Sequence, residues 1–329
     1  MKRIATIVLA SLVLLVSLVA LLVLGGKPEP TPGVAMVMAS APDPGHPPLD
    51  LRIWYPDGPM GAGKLPMIVF SHGTGGSAEG HVDTAVALAE AGFVVVAVNH
   101  TGDNYRDISA VGRGTQLYAR PRHIARTIDY MLTSWPRHAS IDPQRIGMFG
   151  HSAGGFTALV IAGAEPKMWL GEDYCRNHPQ AWSCRYIKRQ GLSLEDLGKQ
   201  RHVTWVHDSR VKAAVIAAPA IGYSFDRESL AKVSIPFQLW AAERDDVVDD
   251  SPAEIRSAMA TPPEFHEVAN AGHFSFLAPC GLRLRAIIMV MHWFGTEQIC
   301  ADPVGFDRRA FHEVFSRDVT AFFQRELKK

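Results

Sequence analysis

Arg145-Ile-Gly-Met-Phe-Gly150-His-Ser152-Ala-Gly154-Gly-Phe-Thr-Ala-Leu-Val-Ile-Ala162 decides how the rest of the chain is read. Arg145–Gly150 is a short apolar run of strand type, and Gly154–Ala162 reads as a helix. Between them, Gly150-x-Ser152-x-Gly154 marks a sharp strand-to-helix turn. Glycine is required two residues either side of the serine, because a Cβ there would collide with neighbouring backbone. Such a turn lifts the serine Oγ clear of a sheet, and the helix N-terminus below favours developing negative charge. Ser152 is therefore the candidate nucleophile.

The flanking sequence repeats the same alternation. Leu51–Tyr55, Pro66–Phe70, Phe93–Asn99, Val211–Ala218 and Pro236–Ala242 read as strands, several of them nearly continuous in Val, Ile, Ala and Phe. Continuous apolar strands are those covered on both faces. Ala78–Ala91 and His123–Ser134 have apolar residues at helical spacing, and Asp307–Leu327 presents Phe311, Val314, Phe315, Val319 and Phe322 on one long helical face. The expected fold is α/β, a mainly parallel, doubly wound sheet. Between about 164 and 209 no strand is evident, yet three of the seven tryptophans (169, 182, 205) lie there. That length exceeds a simple loop. It reads as a lid that walls a pocket, or as a mini-core stapled by cysteines.

A nucleophilic serine needs donors for an oxyanion, a base and an acid. The first donor is the N–H of Ala153, the residue after the nucleophile; the second belongs to a loop after an earlier strand. Ser71-His-Gly-Thr-Gly-Gly76 follows such a strand, and Thr74 N–H is assigned that role. His72 is read as a structural histidine holding the loop. Acid and base should follow the serine in that order. Asp245 stands just after the strand Pro236–Ala242, with Glu243 and Asp246 read as solvated turn and Asp250 as a weaker spare. His273 stands on a Gly-led loop just past the last strand, Pro263–Val268, and is the candidate base. His151 should point away from the serine, His266 lies within a strand, and His292 and His312 read as surface or packing residues on helices.

Composition narrows the partners. The 329 residues carry 33 basic and 33 acidic side chains, and no Lys/Arg stripe appears, which argues against nucleic acid. No Cys-x-x-Cys or His/Cys cluster has metal spacing, and no cofactor or metal is called for. Lys2 and Arg3 precede Ile4–Gly26, 23 residues without a charge. As a helix that run spans about 35 Å, enough for a hydrocarbon core. Residues 1–26 read as an uncleaved membrane anchor or a cleaved signal peptide, with a buried core helix as the plain alternative. Residues 27–33 read as a stiff proline-rich linker and 34–329 as the catalytic domain, exported and facing away from the cytoplasm, tethered or periplasmic. Of three possible pairings, Cys175–Cys184 with Cys280–Cys300 closes the shortest loops; four unpaired buried thiols are the alternative. The oligomeric state is not legible.

The elbow serine, the oxyanion loop, the acid and the late histidine recur together in the α/β-hydrolase superfamily. His72-Gly-Thr-Gly-Gly76, Val98-Asn-His-Thr-Gly-Asp103, Arg120-Pro-Arg122, Ile141-Asp-Pro-Gln-Arg-Ile146, Gly150–Leu159 and Gly272-His-Phe-Ser-Phe-Leu277 resemble the bacterial group of predicted dienelactone hydrolases, related to the platelet-activating-factor acetylhydrolases. The resemblance covers roughly residues 45–280. It implies an α/β-hydrolase fold and a serine esterase with Ser152, Asp245 and His273, acting on a small-molecule ester. Two departures stand out. Dienelactone hydrolases use a cysteine where this chain has Ser152. The acetylhydrolases take their acid from the strand after the nucleophile helix, which here ends Ala213–Pro219 without a carboxylate and leaves the role to Asp245. The same triad would serve an amidase or acyltransferase, and a silent binding protein on this fold is the rival of another class.

Overall fold

The computed structural model describes residues 31–58, 63–113, 115–189, 204–248, 251–292 and 298–328. The expected anchor or signal (1–26) and all but the end of the linker lie outside them. None of the described helices is long and apolar enough to cross a membrane.

In chain order the elements are β1 (Val34–Ala41), β2 (Leu49–Pro56), β3 (Leu65–Ser71), α1 (Val82–Glu90), β4 (Val94–Asn99), α2 (Thr115–Thr133), β5 (Ile141–His151), α3 (Ala153–Ile161), α4 (Leu170–Asn177), α5 (Trp182–Arg189), β6 (Val211–Ala217), α6 (Arg227–Leu230), β7 (Phe237–Ala242), α7 (Ser251–Ala258), β8 (Glu264–Val268), α8 (Leu282–His292) and α9 (Arg308–Leu327). The strands form one eight-stranded sheet in the order β1-β2-β4-β3-β5-β6-β7-β8. β1, β2 and β4 pair antiparallel, and every other neighbour pairs parallel.

Side chains alternate across this sheet, as the period of two requires. Met67, Val69, Val94, Val96, Met148 and Ile216 face the layer of α2 and α3, where Ile124, Ile128, Phe156 and Leu159 are buried. Ile68, Phe70, Val95, Phe149 and Val215 face the opposite layer, where Leu88 of α1 and Phe315, Val319 and Phe322 of α9 cover them. Two covered faces explain why the central strands read as unbroken apolar runs. α9 starts where Asp307 caps it, its carboxylate accepting from Arg309 and Ala310 N–H.

Within the segment from 164 to 209 the described helices are α4 and α5, and residues 204–209 are irregular. Cys175 of α4 and Cys184 of α5 are joined, and with Ala181 and Tyr174 they make a small core of their own. Trp205 packs instead on Tyr118 and Phe156, with ring centroids 4.6 and 5.8 Å away. Pro32–Ala278 and Asp302–Lys329 form one compact unit, while Pro279–Ala301 belongs to a second. That excursion is closed by Cys280–Cys300 and carries α8, a helix with no buried side chain.

Candidate active site

In an open α/β sheet the crevice lies beyond the C-terminal ends of the strands, where the strand order reverses. Here β3 lies between β4 on one side and β5 on the other. The loops after β3 and β5 are brought together at that point. An ideal Cβ on Gly73 would lie 3.2 Å from Ser152 Cβ and 3.3 Å from His151 Nδ1.

Ser152 sits between β5 and α3 with φ +54° and ψ −119°, a conformation non-glycine residues rarely adopt. Its backbone N–H donates to Ala217 O of β6 at 3.0 Å, which ties the turn to the sheet. The flanking glycines are obligatory. A Cβ on Gly150 would stand 2.1 Å from Gly154 O, and one on Gly154 would stand 1.9 Å from Ser71 O. Ser152 Oγ makes no hydrogen bond among the described residues. Catalytic hydrogen bonds are often loose before substrate binds.

Asp245 and His273 do meet. His273 Nδ1–H donates to Asp245 Oδ2 at 2.9 Å, and both side chains are nearly inaccessible. Asp245 is fixed from its other oxygen, which accepts from Val247 and Val248 N–H at 2.9 and 3.0 Å. The loops bearing them are laced together by Glu243 N–H to Val268 O and Arg244 N–H to Ala271 O. Burial works against ionisation of Asp245, but the adjoining His273 and the two amides prevail, holding its carboxyl below the usual range. It is a carboxylate at neutral pH.

Ala153 N–H opens α3, and neither it nor Thr74 N–H is engaged by a backbone acceptor among the described residues. The loop around Thr74 is held by a buried ion pair that sequence reading passed over. Arg120, wholly buried in α2, donates from Nε to Asp103 at 2.7 Å, from Nη1 to His72 O at 2.7 Å and from Nη2 to Gly73 O at 3.1 Å. Asp103 accepts from Gly75 N–H and from Gln116 Nε2, each at 2.7 Å. Both residues stand in strings that carried the family resemblance, the one sequence signal pointing to them. Replacing Arg120 by Met would strand a buried carboxylate. Urea unfolding of Arg120→Met is expected to show a loss of about 3–5 kcal/mol; wild-type stability would deny the pair its structural part.

The remaining candidates fall elsewhere. Glu243 accepts from Asn270 N–H on the surface, and Asp250 lies outside the described residues. His266 pairs with Glu264 and stacks on Trp240. His72 is buried and its Nδ1–H closes the loop onto Gly73 O at 2.7 Å. His151 packs against His273 with the rings tilted by 38° and their centroids 4.9 Å apart. His312 is neither a surface residue nor simple packing: it is buried and bonded to Ser275 O at 2.8 Å. No group of His, Cys, Asp or Glu among the described residues is arranged to hold a metal ion.

Residues 57–117 match the sequence profile of the family described as platelet-activating factor acetylhydrolase, isoform II. The match runs from the segment before β3 to the start of α2 and takes in the Ser71–Gly76 loop. No curated protein matches the chain. Among solved structures, a ferulic acid esterase from Streptomyces cinnamoneus is similar with TM-score 0.59 and 18% identity, over 92% of either chain. A dienelactone hydrolase from Anabaena variabilis is similar with TM-score 0.49 and 16% identity, over 80% of this chain and 98% of its own. The first of these likenesses speaks to the fold, and agrees with the mostly parallel eight-stranded sheet.

Proposed function

We infer that this α/β-hydrolase, an ester-cleaving enzyme, works through an acyl-enzyme on Ser152. The observation that carries this reading is the buried Asp245–His273 hydrogen bond beside the strained turn that presents Ser152. His273 Nε2 takes the proton from Ser152 Oγ as that oxygen attacks the ester carbonyl. Asp245 holds the imidazole by its Nδ1–H and stabilises the imidazolium that forms. Thr74 and Ala153 N–H hold the tetrahedral oxyanion. His273 then gives its proton to the departing alcohol, leaving an ester on Ser152. Water, deprotonated by His273, attacks that ester, and the carboxylic acid leaves with Ser152 restored.

The substrate proposed is an ester with an apolar acyl group. Support comes from the aromatic residues of the insertion: Trp205 packs on Tyr118 of α2 and Phe156 of α3, and Tyr174 stacks on Tyr223 at 4.3 Å. In this reading the insertion is the lid of the 34–329 catalytic domain. The two disulfides support export to an oxidising compartment.

A fluorophosphonate probe tests the serine, and a panel of nitrophenyl esters of rising acyl length tests the pocket. Wild type is expected to be labelled, and His273→Ala to label at least about a hundred-fold more slowly, because the serine loses its base. A folded wild type left unlabelled would sink the serine mechanism. Hydrolysis of the acetate alone, with longer chains refused, would overturn the apolar pocket.

A further inference from the structure

The base stands on a single turn, His273–Phe276, with Gly272 before it. The turn closes in part on itself: Ser275 N–H donates to Gly272 O at 3.0 Å and Leu277 N–H to Phe274 O at 3.1 Å. The carbonyls of His273, Ser275 and Phe276 point into the protein, and each meets an imidazole. His151 Nε2–H donates to His273 O at 3.2 Å. His312 Nε2–H donates to Ser275 O at 2.8 Å. His81 Nδ1–H donates to Phe276 O at 3.0 Å. The three rings come from β5, from α9 and from the residue preceding α1, so three separate parts of the fold converge on four residues.

We propose that His81, His151 and His312 are positioning residues, a cradle that fixes the turn carrying His273 and so the aim of its imidazole at Ser152. Hydrogen-bond accounting supports a directed role for His81 and His151. Each uses its one N–H on a carbonyl of the turn, and the opposite nitrogen, His81 Nε2 or His151 Nδ1, is buried without a partner. A ring present only to fill space would be an apolar one, since a bare buried nitrogen costs desolvation. The rings also pack in series, His81 on His151 at 5.2 Å and His151 on His273 at 4.9 Å. Asp245 sets the rotation of the His273 ring; the cradle sets the backbone from which it hangs. A shift of this backbone moves Nε2 away from the attack line, and misplacement of about 1 Å can cost about a hundred-fold in rate.

The inference rests on the hydrolase reading, and its test is built to separate the two. The full-length chain is compared with His81→Leu and His81→Asn, and with His151→Leu and His151→Gln. Asn places an amide donor near the position of Nδ1, and Gln near that of Nε2. The leucine variants are expected to lose about ten- to a hundred-fold in kcat on a nitrophenyl ester, with KM within about two-fold of wild type. The amide variants are expected to recover most of that loss. The low-field proton resonance of His273 Nδ1–H is expected to broaden in the leucine variants and stay sharp in the amide ones. Leucine variants with wild-type kcat, or amide variants as impaired as leucine ones, would overturn the cradle. Should leucine prevent folding, the amide variants decide: near wild-type kcat supports the cradle, and a full loss refutes it. A wild type inert toward esters refutes the hydrolase reading, and the proton resonance then decides the cradle alone.

Discussion

A Ser152→Ala chain is expected to fold as wild type does and to lose at least about ten thousand-fold in kcat/KM on any ester the wild type cleaves. The size follows from the mechanism, in which Oγ is the atom that bonds to the acyl carbon; without it only water positioned by the oxyanion donors remains. The structure also says why stability should be spared. Ser152 Oγ makes no hydrogen bond among the described residues, and the contact that holds the turn, Ser152 N–H to Ala217 O, belongs to the backbone. Alanine meets the same penalty as serine at φ +54°, so strain is unchanged. Unfolding in urea should therefore give an equal or slightly higher midpoint, the usual outcome when an active-site polar group is removed. Retention of a tenth of the wild-type kcat/KM would remove Ser152 from the reaction.

The parts of this fold that sequence exposes are those whose two faces are covered. β4, Val-Val-Val-Ala-Val-Asn, is buried along its whole length and is legible at once. β1 is not, because it is an edge strand with alternate residues exposed, Met38 at 70%, and lacks a β-branched run. Periodicity predicts a helix over His123–Ser134, whereas α2 begins at Thr115. Its first turns hide behind Arg120-Pro121, a charge and a helix breaker where an apolar face is sought. Arg120 nonetheless lies on the buried side, because its task is to hold the loop after β3. A polar residue committed to a site defeats the periodicity that reveals a helix.

The site divides the same way. Ser152, Asp245 and His273 are each legible from local grammar, a serine between strand and helix, a carboxylate and a histidine just past strands. The residues that hold them are not, since their bonds span distance in the chain. His81 reaches Phe276 across 195 positions and His151 reaches His273 across 122. The helical pattern reads His312 as a surface or packing residue; only the fold shows it buried with Ser275 O across from it.

Acid should unfold this protein well before its carboxylates are neutralised. His72, His100 and His123 lie in a network whose protons are dictated by its fixed donors. His72 Nε2 accepts from His100 N–H at 3.2 Å, so its Nδ1 carries the proton given to Gly73 O. Arg122 donates to His123 Nε2 at 3.2 Å, so His123 Nδ1–H must donate to His100 Nδ1, and His100 Nε2–H to Ser71 Oγ at 2.8 Å. Every ring is neutral, and an added proton would confront another N–H or a guanidinium. Burial, reinforced by Arg120, pushes His72 down to about 3; burial, with Arg122 and Arg120, brings His123 to about 3. Burial likewise lowers His81 to about 4, despite the opposing charge of Asp83, and holds His100 and His151 well below 6.5. In the unfolded chain these groups titrate near 6.5, so below that pH the unfolded state binds more protons and folding stability falls with falling pH. Each group removes about 1.4 kcal/mol per pH unit until its folded pKa is reached. His72, His81 and His123 together remove roughly 5 kcal/mol or more between pH 6.5 and 4.5, comparable to the whole stability of many domains. The urea midpoint should hold steady above pH 7.5, drop steeply between pH 6.5 and 5, and vanish near pH 4.5. A midpoint as high at pH 5 as at pH 7.5 would mean that these histidines are not buried neutral, and the hydrogen-bond network drawn from their protons would fall with it.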